Sequence, residues 1–422
     1  MLDINLIREN PENVKENLKK RYKDPKQVDV FLKKDKEWRE KKQEIDNLRK
    51  KRNDLTLEIT KRKKEKKNIK NLIKEARDIP EKIKKEEEIL NNIEQEREEI
   101  LLKIPNFMHK DVPKGKDASE NKVIRKEGNP EKKKFEIKNH VELLEELNQV
   151  DFELGRKTSG QGFNYIKKDL ALLDRALQNY AIDLLIKNNF ELIIPPLLLN
   201  KETMAGSVNF TDFKETIYKI ENEDLFLVGT AENALVALYK NKILSKKDLP
   251  KYITAVTPCF RKELGAHGVD QKGLFRMHQF NKVEQVCFST EEESDTILEK
   301  MQKISEQLFK DLEIPHRVIA ICSGDLGAKQ AKQYDIEAWF PRQQEYKEVT
   351  SASNCTDYQA RKLNIKYQEG NKKKYVHILN NTMVATSRAM VAIIENHQQK
   401  DGTIKIPKVL RPYMYSKEKI GI

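Results

Sequence analysis

The sequence has few cysteines, few tryptophans and no long apolar run. Its 422 residues include four cysteines and two tryptophans. The cysteines lie about thirty residues apart with no CxxC pair, which makes zinc and a disulfide framework unlikely and fits the cytoplasm. No stretch of about 18 apolar residues occurs, which excludes an ordinary membrane-spanning helix. The N-terminus carries Asp3 and Glu9 and lacks the pattern of a secretory signal or transit peptide.

Glycine is absent from the first quarter of the chain. The first glycine in the sequence is Gly115. Between Pro25 and Pro80 there is neither glycine nor proline, and lysine, glutamate, arginine, leucine and isoleucine dominate. Most of these residues are good helix formers. This composition predicts long helices over the N-terminal segment.

The apolar residues of that segment recur at coiled-coil spacing. Phe31, Trp38 and Ile45 are seven residues apart, and the steps alternate between three and four in the second half. Only Glu86 and Arg97 interrupt this later run. A narrow apolar stripe of this kind is typical of a coiled coil.

A turn is predicted near residues 61–68, which include no side chain able to extend the apolar stripe. The prediction is therefore an antiparallel hairpin over about residues 28–101, with limbs of about 50 Å at 1.5 Å rise per residue. Pro80 is expected to kink the second limb because proline removes one backbone donor.

The tip of this hairpin is strongly basic, and the chain as a whole has a formal net charge of +13. The candidate nucleic-acid-binding residues at the tip are Lys61, Arg62, Lys63, Lys64, Lys66 and Lys67. Lysine clusters bind the phosphate backbone of nucleic acids. A solvated dimerisation coiled coil, with lysines kept for solubility, is the alternative interpretation.

Beyond residue 104 the composition becomes mixed, with prolines and glycines marking an entry segment. Helices are predicted at about 141–154, 169–188 and 387–399. Strands are predicted at 190–196, 224–228, 253–260, 273–286, 314–322, 334–340, 345–353 and 374–379. Alternating apolar residues in several of these runs favour an antiparallel sheet covered by helices. The predicted fold class is α+β, with a helical arm over 1–104 and a second domain over 105–422.

The segment TPCFRKELGAHGVDQKGLFRMHQFNKVEQ, residues 257–285, is interpreted as a long hairpin with a polar tip. Arg261 and Glu263 have the same strand parity and face one side. Together they could hold a phosphate and a polar base or amine. An exposed hairpin with a structural salt bridge would have the same pattern.

Two later segments add chemistry. In EYKEVTSASN, Glu348 and Ser351 offer hard oxygen ligands suited to Mg²⁺ delivered with a nucleotide. In NNTMVATSRAM, Thr386 or Ser387 could cap a helix, and Arg388 would follow in its first turn, where anions bind. An arginine at a helix start can also be an ordinary surface charge.

Taken together, these segments resemble the seryl-tRNA synthetases, which are class II aminoacyl-tRNA synthetases. The three class II motifs occur in order: Asn189-Phe190 to Pro195-Pro196, with Asn189 in place of the usual glycine, then FRKE…FRMHQF, then ATSRAMVAIIEN. The TAE triplet, the HQFNKVE run and SGDLGAKQAKQYDIEAWFP are similar to the seryl enzymes, as is the N-terminal hairpin. The NNT form of the third motif is closer to archaeal and eukaryotic members.

The resemblance implies a homodimer formed through the first motif and a role for each motif residue. Arg261 and Arg388 are expected to be catalytic, as contacts to the α- and γ-phosphates. The expected ATP-binding residues are Arg261, Glu263, Phe275, Arg276, Glu348, Val349, Thr350, Ser351 and Arg388. The expected serine-binding residues are Thr230, Glu232, Arg261, Glu284, Asn380 and Thr382. Mg²⁺ is expected on Glu348 and Ser351.

The implied reaction joins serine to ATP as seryl-adenylate and transfers serine to the terminal adenosine of tRNA(Ser), and of tRNA(Sec) where present. The lysine-rich tip would contact the long variable arm of tRNA(Ser), since A-form grooves give side chains little base information. Two alternatives remain: a non-catalytic paralogue that binds RNA, and a seryl ligase that charges carrier proteins. The first predicts losses at the ATP-binding residues, which are all present, and the second predicts a chain without the long hairpin.

Overall fold

The computed structural model describes residues 1–208, 210, 216–263 and 273–421. These residues form two compact units, Met1–Pro105 and Asn106–Ile422. No helix in the described parts of the chain combines the length and apolarity needed to cross a membrane. The tip of the hairpin predicted within 257–285 falls largely on residues 264–272 and so lies outside the described residues.

The first unit is helical throughout. Its helices are α1 (Ile4–Glu9), α2 (Pro11–Lys20), α3 (Lys26–Lys64) and α4 (Lys70–Lys103). The two long helices pack against each other, and the chain turns between Lys64 and Lys70. The predicted hairpin with its turn near 61–68 is therefore confirmed, and helix α4 continues through Pro80.

The seam between α3 and α4 is apolar over most of its length. Ile45, Ile79 and Ile83 are buried together, with Leu48 and Leu55 packed against them. Phe31, at the base of α3, is fully buried. These are the positions that the heptad spacing selects, so burial of a narrow stripe stabilises the hairpin.

The polar residues that interrupt the seam have partners across it. Glu86 pairs with Lys41 at 2.8 Å between Oε2 and Nζ. The Arg97 guanidinium lies 4.0 Å from the centre of the Trp38 ring and 3.3 Å from Asp35 Oδ1. Arg8 of helix α1 also binds Asp35, at 2.8 Å. A buried carboxylate with several arginines around it ties α1 to the base of the hairpin.

The second unit is built on one eight-stranded sheet. Its strands are β1 (Lys122–Glu127), β4 (Glu191–Leu192), β8 (Lys251–Phe260), β9 (Gln279–Ser289), β10 (His316–Ala320), β11 (Lys332–Phe340), β12 (Glu345–Asn354) and β15 (His377–Ala385). The strand order is β1-β10-β11-β12-β15-β9-β8-β4. Neighbouring strands are antiparallel except for β4 and β8, which are parallel. The predicted fold class, a helical coiled-coil arm followed by a helix-flanked antiparallel sheet, is confirmed.

Short strands form small sheets beside the large one. They are β2 (Val150–Asp151), β3 (Tyr165–Ile166), β5 (Leu198–Asn200), β6 (Leu225–Leu227), β7 (Ile243–Ser245), β13 (Lys366–Glu369), β14 (Lys372–Tyr375), β16 (Ile404–Lys405) and β17 (Lys419–Ile420). The described helices of this unit are α5 (His140–Glu146), α6 (Phe152–Ser159), α7 (Lys168–Lys187), α8 (Lys201–Met204), α9 (Glu232–Leu235), α10 (Ser294–Asp311), α11 (Tyr358–Leu363) and α12 (Thr386–His397). Helices α7, α10 and α12 share one apolar core with the sheet, which leaves the other face of the central strands for a site.

Two predicted boundaries were wrong for local reasons, and one helix was missed. The helix predicted at 141–154 is two helices, because Asn148 adopts a positive φ of 52° and ends α5. The strand predicted from residue 273 begins at Gln279, since the His278 N–H donates to Gly162 O instead of a strand. Helix α10 was not predicted, although its apolar residues pack on the sheet.

Asn189, which replaces the usual glycine of the first motif, has a positive φ of 67°. Helix α7 ends before it with two closing bonds, from Asn189 N to Ile186 O and from Phe190 N to Leu185 O. This is the Schellman arrangement, which needs a left-handed residue after the helix. Asparagine tolerates that conformation better than other non-glycine residues, so the substitution preserves the turn.

Candidate active site

A cavity of about 210 Å³ opens on the uncovered face of the central strands. It collects almost every residue that the sequence motifs selected. The predicted residues that line it are Glu232, Arg261, Glu263, Phe275, Arg276, Glu284, Glu348, Val349, Thr350, Ser351, Asn380, Thr382 and Arg388. Thr230 does not line it but donates to Glu284 Oε1 at 2.6 Å.

Strands β9 and β15 supply one part of the cavity floor. Glu284 lies directly opposite Thr382 across the antiparallel ladder, and Lys282 lies two residues before Glu284 on the same face. The register shifts between Thr382 and Val384, which is a β-bulge at Met383. A bulge inserts one extra residue, so it turns later side chains of β15, including Ala385, toward the cavity.

A second bulge explains how strand β12 contributes both Glu348 and Ser351. In a regular strand two residues three positions apart face opposite sides. The ladder pairs Thr350 with Ile336 and Glu348 with Glu337, which leaves Val349 as the extra residue. Because of this bulge, Glu348 and Ser351 line the same cavity.

Arg261 and Glu263 follow β8 directly, since the strand ends at Phe260. Arg261 is oriented by two contacts: its Nε donates to Gly229 O at 2.9 Å, and its guanidinium lies 5.6 Å from the centre of the Phe280 ring. Both side chains line the cavity. This places a fixed cation and a carboxylate at one edge of the site.

Arg388 occupies the first turn of α12, as the sequence predicted. The predicted caps are wrong: Ala385 is the N-cap residue, and the Thr386 hydroxyl donates to Asn281 O at 3.1 Å instead. Arg388 Nη1 binds the Glu348 carboxylate at 3.2 Å and the Glu348 backbone oxygen at 3.1 Å. Its guanidinium also lies 5.3 Å from the centre of the Phe275 ring.

Two carboxylates of the cavity are each paired with a lysine. Glu284 binds Lys282, and Glu232 binds Lys329. Burial acts to raise the pKa of Glu232, but Lys329 and the Gln359 amide outweigh it and hold this pKa below its usual range. Glu232 therefore stays ionised at the pH of the cell.

Sequence reasoning missed Lys282, Lys329, Gln359 and Asp335. Lys282 and Lys329 lie inside the family runs HQFNKVE and SGDLGAKQAKQYDIEAWFP. The sequence therefore marked both segments, but no role was assigned to either lysine. Gln359 comes from helix α11 and only tertiary packing brings it to Glu232, where its amide donates at 2.9 Å. Asp335 faces Ser351 across the β11–β12 ladder, and burial together with the Glu348 charge raises its pKa to about 8.

His278, in the middle of the second motif, does not line the cavity. Its ring lies 5.1 Å from the Phe163 ring, and its Nδ1 is 2.5 Å from the Tyr218 hydroxyl. It is a packed residue. Within the described ranges, no group of three or more His, Cys, Asp and Glu side chains is arranged to hold a metal ion.

Comparison with known proteins covers the whole chain. The model of the seryl-tRNA synthetase N-terminal domain matches residues 1–108, and that of the tRNA synthetase class II core domain (G, H, P, S and T) matches residues 215–397. The chain is 47% identical over 446 residues to the serine–tRNA ligase of Pyrococcus furiosus, covering 100% of this chain and 98% of the relative. The chain belongs to the seryl-tRNA synthetase family.

Two further relatives support this membership. The serine–tRNA ligase of Methanospirillum hungatei is 44% identical over 423 residues, covering 99% of this chain and 100% of the relative. The structure of the Pyrococcus horikoshii seryl-tRNA synthetase complexed with ATP superposes with a TM-score of 0.88 at 45% identity, covering 100% and 99% of the two chains. These relatives are archaeal, which is consistent with the archaeal and eukaryotic form of the third motif in this sequence.

The basic tip predicted for this seryl-tRNA synthetase family member is solvent-exposed. Lys61, Lys63, Lys64 and Lys66 are exposed and form no ion pair with any described residue. Two other tip cations are partly neutralised: Arg62 binds Glu58 at 2.6 Å, and Lys67 binds Glu65 at 2.8 Å. The four unpaired lysines are therefore the strongest candidates for binding phosphate.

Proposed function

We propose that this chain activates L-serine with ATP and transfers it to the 3′-terminal adenosine of tRNA(Ser). The observation that carries the proposal is the composition of the cavity. Arg261 and Arg388 supply positive charge on its nucleotide side, and Glu232, Glu284 and Thr382 supply polar acceptors on its amino-acid side. A small hydroxy-amine with a carboxylate, next to a polyphosphate, matches that distribution.

In the first step a serine carboxylate oxygen attacks the α-phosphorus of ATP. The new bond joins that oxygen to phosphorus, the bond from the α-phosphorus to the bridging oxygen breaks, and pyrophosphate leaves. This displacement needs positioning and charge neutralisation more than covalent help. Arg261, fixed by Gly229 O and the Phe280 ring, would hold the α-phosphate and the serine carboxylate.

The nucleotide would lie along the second and third motifs. Phe275 would stack on the adenine, Glu263 would contact its polar edge, and Arg276 and strand residues 348–351 would line the rest. Arg388 would bind the γ-phosphate, exchanging its contact with the Glu348 carboxylate for a contact with the substrate.

The residues present fit a Mg²⁺ ion carried by ATP. The bulge at Val349 turns Glu348 and Ser351 toward one cavity, and both offer hard oxygen atoms. Asp335, hydrogen-bonded with Ser351, adds a third oxygen-bearing side chain nearby. When bound, the ion would neutralise charge on the polyphosphate. Glu348 and Ser351 would hold it.

On the amino-acid side, Glu232 and Glu284 would accept the ammonium and the hydroxyl of serine, with Thr382 beside the hydroxyl. Thr230 fixes Glu284, and Asn380 lies 3.4 Å from Glu232. Sites that hydrogen-bond a substrate hydroxyl reject analogues lacking it by about 10⁴-fold or more. Alanine should therefore be a very poor substrate, and threonine must be excluded by shape.

The second step is proposed to need the N-terminal arm. The unpaired lysines of its tip suit the phosphate backbone of the long variable arm of tRNA(Ser). The same contacts would serve tRNA(Sec) where that RNA exists. The cytoplasm is the expected location, and all four cysteines are free thiols, as a reducing compartment allows.

A homodimer through the first motif is also proposed. The end of helix α7 and the segment after it expose several large apolar side chains, namely Ile186, Leu192, Ile194 and Leu198. Ile194 alone is 93% exposed. Strand β4 is an edge strand beside this patch. Exposed apolar surface next to an open edge suits an interface with a second copy.

The test is ATP–pyrophosphate exchange with each of the twenty amino acids, followed by aminoacylation of tRNA. We expect exchange with serine and almost none with alanine or glycine. Glu284→Ala removes one of the proposed serine-binding carboxylates and should lose serine-dependent exchange. Exchange with no amino acid would favour the RNA-binding paralogue. Exchange with serine without tRNA charging would favour a carrier-protein ligase.

A further inference from the structure

Lys329 is a cavity residue for which the reaction described above has no role. It lies between the end of β10 and the start of β11, outside any regular element. Its ammonium group pairs with the Glu232 carboxylate, and its side chain is about one quarter exposed, toward the cavity that it lines. A lysine therefore occupies the amino-acid side of the site.

The backbone on either side of Lys329 is fixed by buried groups. The buried Asn106 side chain donates to Lys329 O at 3.0 Å and also to Cys355 O at 2.9 Å. Two residues later, Ala331 N donates to Asn354 O at 2.8 Å. These bonds anchor the segment to strand β12 and its following turn. The Lys329 ammonium is therefore held at Glu232 by the fold as well as by charge.

One oxygen of Glu232 receives three donors. Oε1 accepts from Lys329 Nζ, from Gln359 Nε2 at 2.9 Å and from Asn380 Nδ2 at 3.4 Å. Charge-assisted hydrogen bonds of this kind hold a carboxylate in one orientation. Glu232 is thus a rigid acceptor whose negative charge already has a counter-ion.

We infer that Lys329 determines side-chain specificity, because by neutralising Glu232 it removes a negative charge that would otherwise draw a second ammonium group into the pocket. A hydroxyl can donate to a carboxylate that already carries a counter-ion. A substrate side chain with its own ammonium would be repelled by the Lys329 ammonium. It would also lose its hydration shell, which is costly for a charge in a buried site. The inference rests on the proposed activation of serine in this cavity.

The test compares L-serine with L-2,3-diaminopropionate, in which an ammonium replaces the hydroxyl. Pyrophosphate exchange is measured well below neutral pH, because each ammonium group of diaminopropionate lowers the pKa of the other and both are protonated only there. Lys329→Met should lower kcat/KM for serine by about tenfold or more, mainly through KM, since it leaves a buried carboxylate without its partner. The same variant should raise the diaminopropionate-to-serine ratio by about tenfold or more, because Glu232 would then attract the added ammonium.

Two variants control this result. Lys329→Arg keeps the charge and should keep the preference for serine. Lys332→Met removes a lysine three residues later that pairs with Asp111 at 3.5 Å and does not line the cavity, so it should leave both substrates unchanged. In the double variant Lys329→Met with Glu232→Gln, the gain for diaminopropionate should disappear, because the negative charge that attracts it is gone.

Several outcomes would overturn the inference. If Lys329→Met lowered activity with both substrates equally, Lys329 would have a structural role only. If it changed neither, the ion pair would not affect the substrate. If Lys329→Met alone did not fold, the double variant Lys329→Met with Glu232→Gln would be measured instead. A raised diaminopropionate-to-serine ratio in that variant would contradict the charge argument, because Glu232 no longer carries a charge. If the wild-type protein showed no serine-dependent exchange, the proposed function would be wrong as well. Exchange by the wild type therefore distinguishes failure of the proposed function from failure of the inference about Lys329.

Discussion

At the scale of single residues, Arg388 contacts side chains from two different segments of the cavity wall. Its guanidinium contacts the Glu348 carboxylate at 3.2 Å and lies 5.3 Å from the centre of the Phe275 ring. We expect Arg388→Ala to lower the rate of serine-dependent exchange by about 10²-fold or more, as the loss of one preorganised charged group typically does. Exchange kinetics with ATP and pyrophosphate measure the effect.

The control for Arg388 is Arg156→Ala, which removes an exposed arginine of helix α6 that does not line the cavity. It should leave exchange unchanged. Thermal unfolding of both variants should match that of the wild type. A folded Arg388→Ala protein with nearly normal exchange would remove Arg388 from the site.

A buried carboxylate in helix α12 makes stability depend on pH. Glu395 is fully buried, its Oε1 has no hydrogen-bond partner among the described residues, and burial raises its pKa to about 7. Since the unfolded chain loses this proton near its ordinary pKa of 4.5, the folded state binds more protons between these values. Its contribution to stability is therefore present below about pH 4.5 and is lost as the pH rises to about 7.

Glu395→Gln should remove this dependence. At pH 8 the variant should be more stable than the wild type by up to about 3 kcal/mol, and at low pH the two should be similar. Urea unfolding at several pH values measures the difference. Glu313→Gln, at a carboxylate about half exposed, is the matched control and should have little effect at any pH. If the free energies of unfolding of the wild type and Glu395→Gln changed with pH in parallel, Glu395 would not be the group that causes the pH dependence.

At the scale of elements, the sequence predicted most strands and the two long helices of the hairpin, because their periodicity is regular. It could not predict the bulges at Val349 and Met383, which depend on the register between neighbouring strands. Without the first bulge, strand parity would separate Glu348 from Ser351. Glu348 and Ser351 were predicted to share one cation because both carry hard oxygen atoms, and the shifted ladder is what brings them to one cavity.

Partners that come from distant segments were equally beyond the sequence. Gln359 reaches Glu232 from another helix, and Asn106 fixes Lys329 from more than two hundred residues away. Such contacts leave no periodic trace in the chain. Arg261 and Glu263 line one cavity as predicted, but strand parity does not explain it, because β8 ends at Phe260.

The exposed apolar segment after helix α7 gives a prediction for the first motif. Light scattering at micromolar concentration should give about twice the chain mass of 49.5 kDa for the wild type. Ile194→Asp should shift it toward a monomer, since a charge at the centre of an apolar interface is costly. Leu57→Asp changes a residue of α3 that is 70% exposed and should leave the mass unchanged. A monomeric wild type would contradict the dimer.

At the scale of the whole molecule, the division into a helical unit and a sheet unit follows the change in composition near residue 104. The heptad spacing predicted the hairpin well because each limb buries one narrow stripe. It could not predict that Asp35, Arg8 and Arg97 would join at the base, since nothing in the spacing marks a buried carboxylate.

The two units should separate the two halves of the reaction. Replacing residues 53–76 with a short turn removes the tip but keeps the apolar cluster of Ile45, Ile79 and Ile83. Serine-dependent exchange should persist within a few-fold, and transfer to tRNA should collapse because the lysines that bind its phosphates are removed. If both activities fell together, the arm would belong to the catalytic fold. If neither fell, the lysines would serve solubility.

A finer test changes charge without changing length. Lys61, Lys63, Lys64 and Lys66 are the exposed tip lysines without an ion pair among the described residues, so their replacement by serine should break few internal interactions. For each lysine that binds a phosphate, its replacement should reduce the slope of log affinity for tRNA against log salt by about one unit. The matched control replaces Lys33, Lys50, Lys82 and Lys84, which are exposed on the shaft of the hairpin and likewise form no ion pair with a described residue. An equal change of slope in the control would mean that overall charge, and not the tip, binds the RNA.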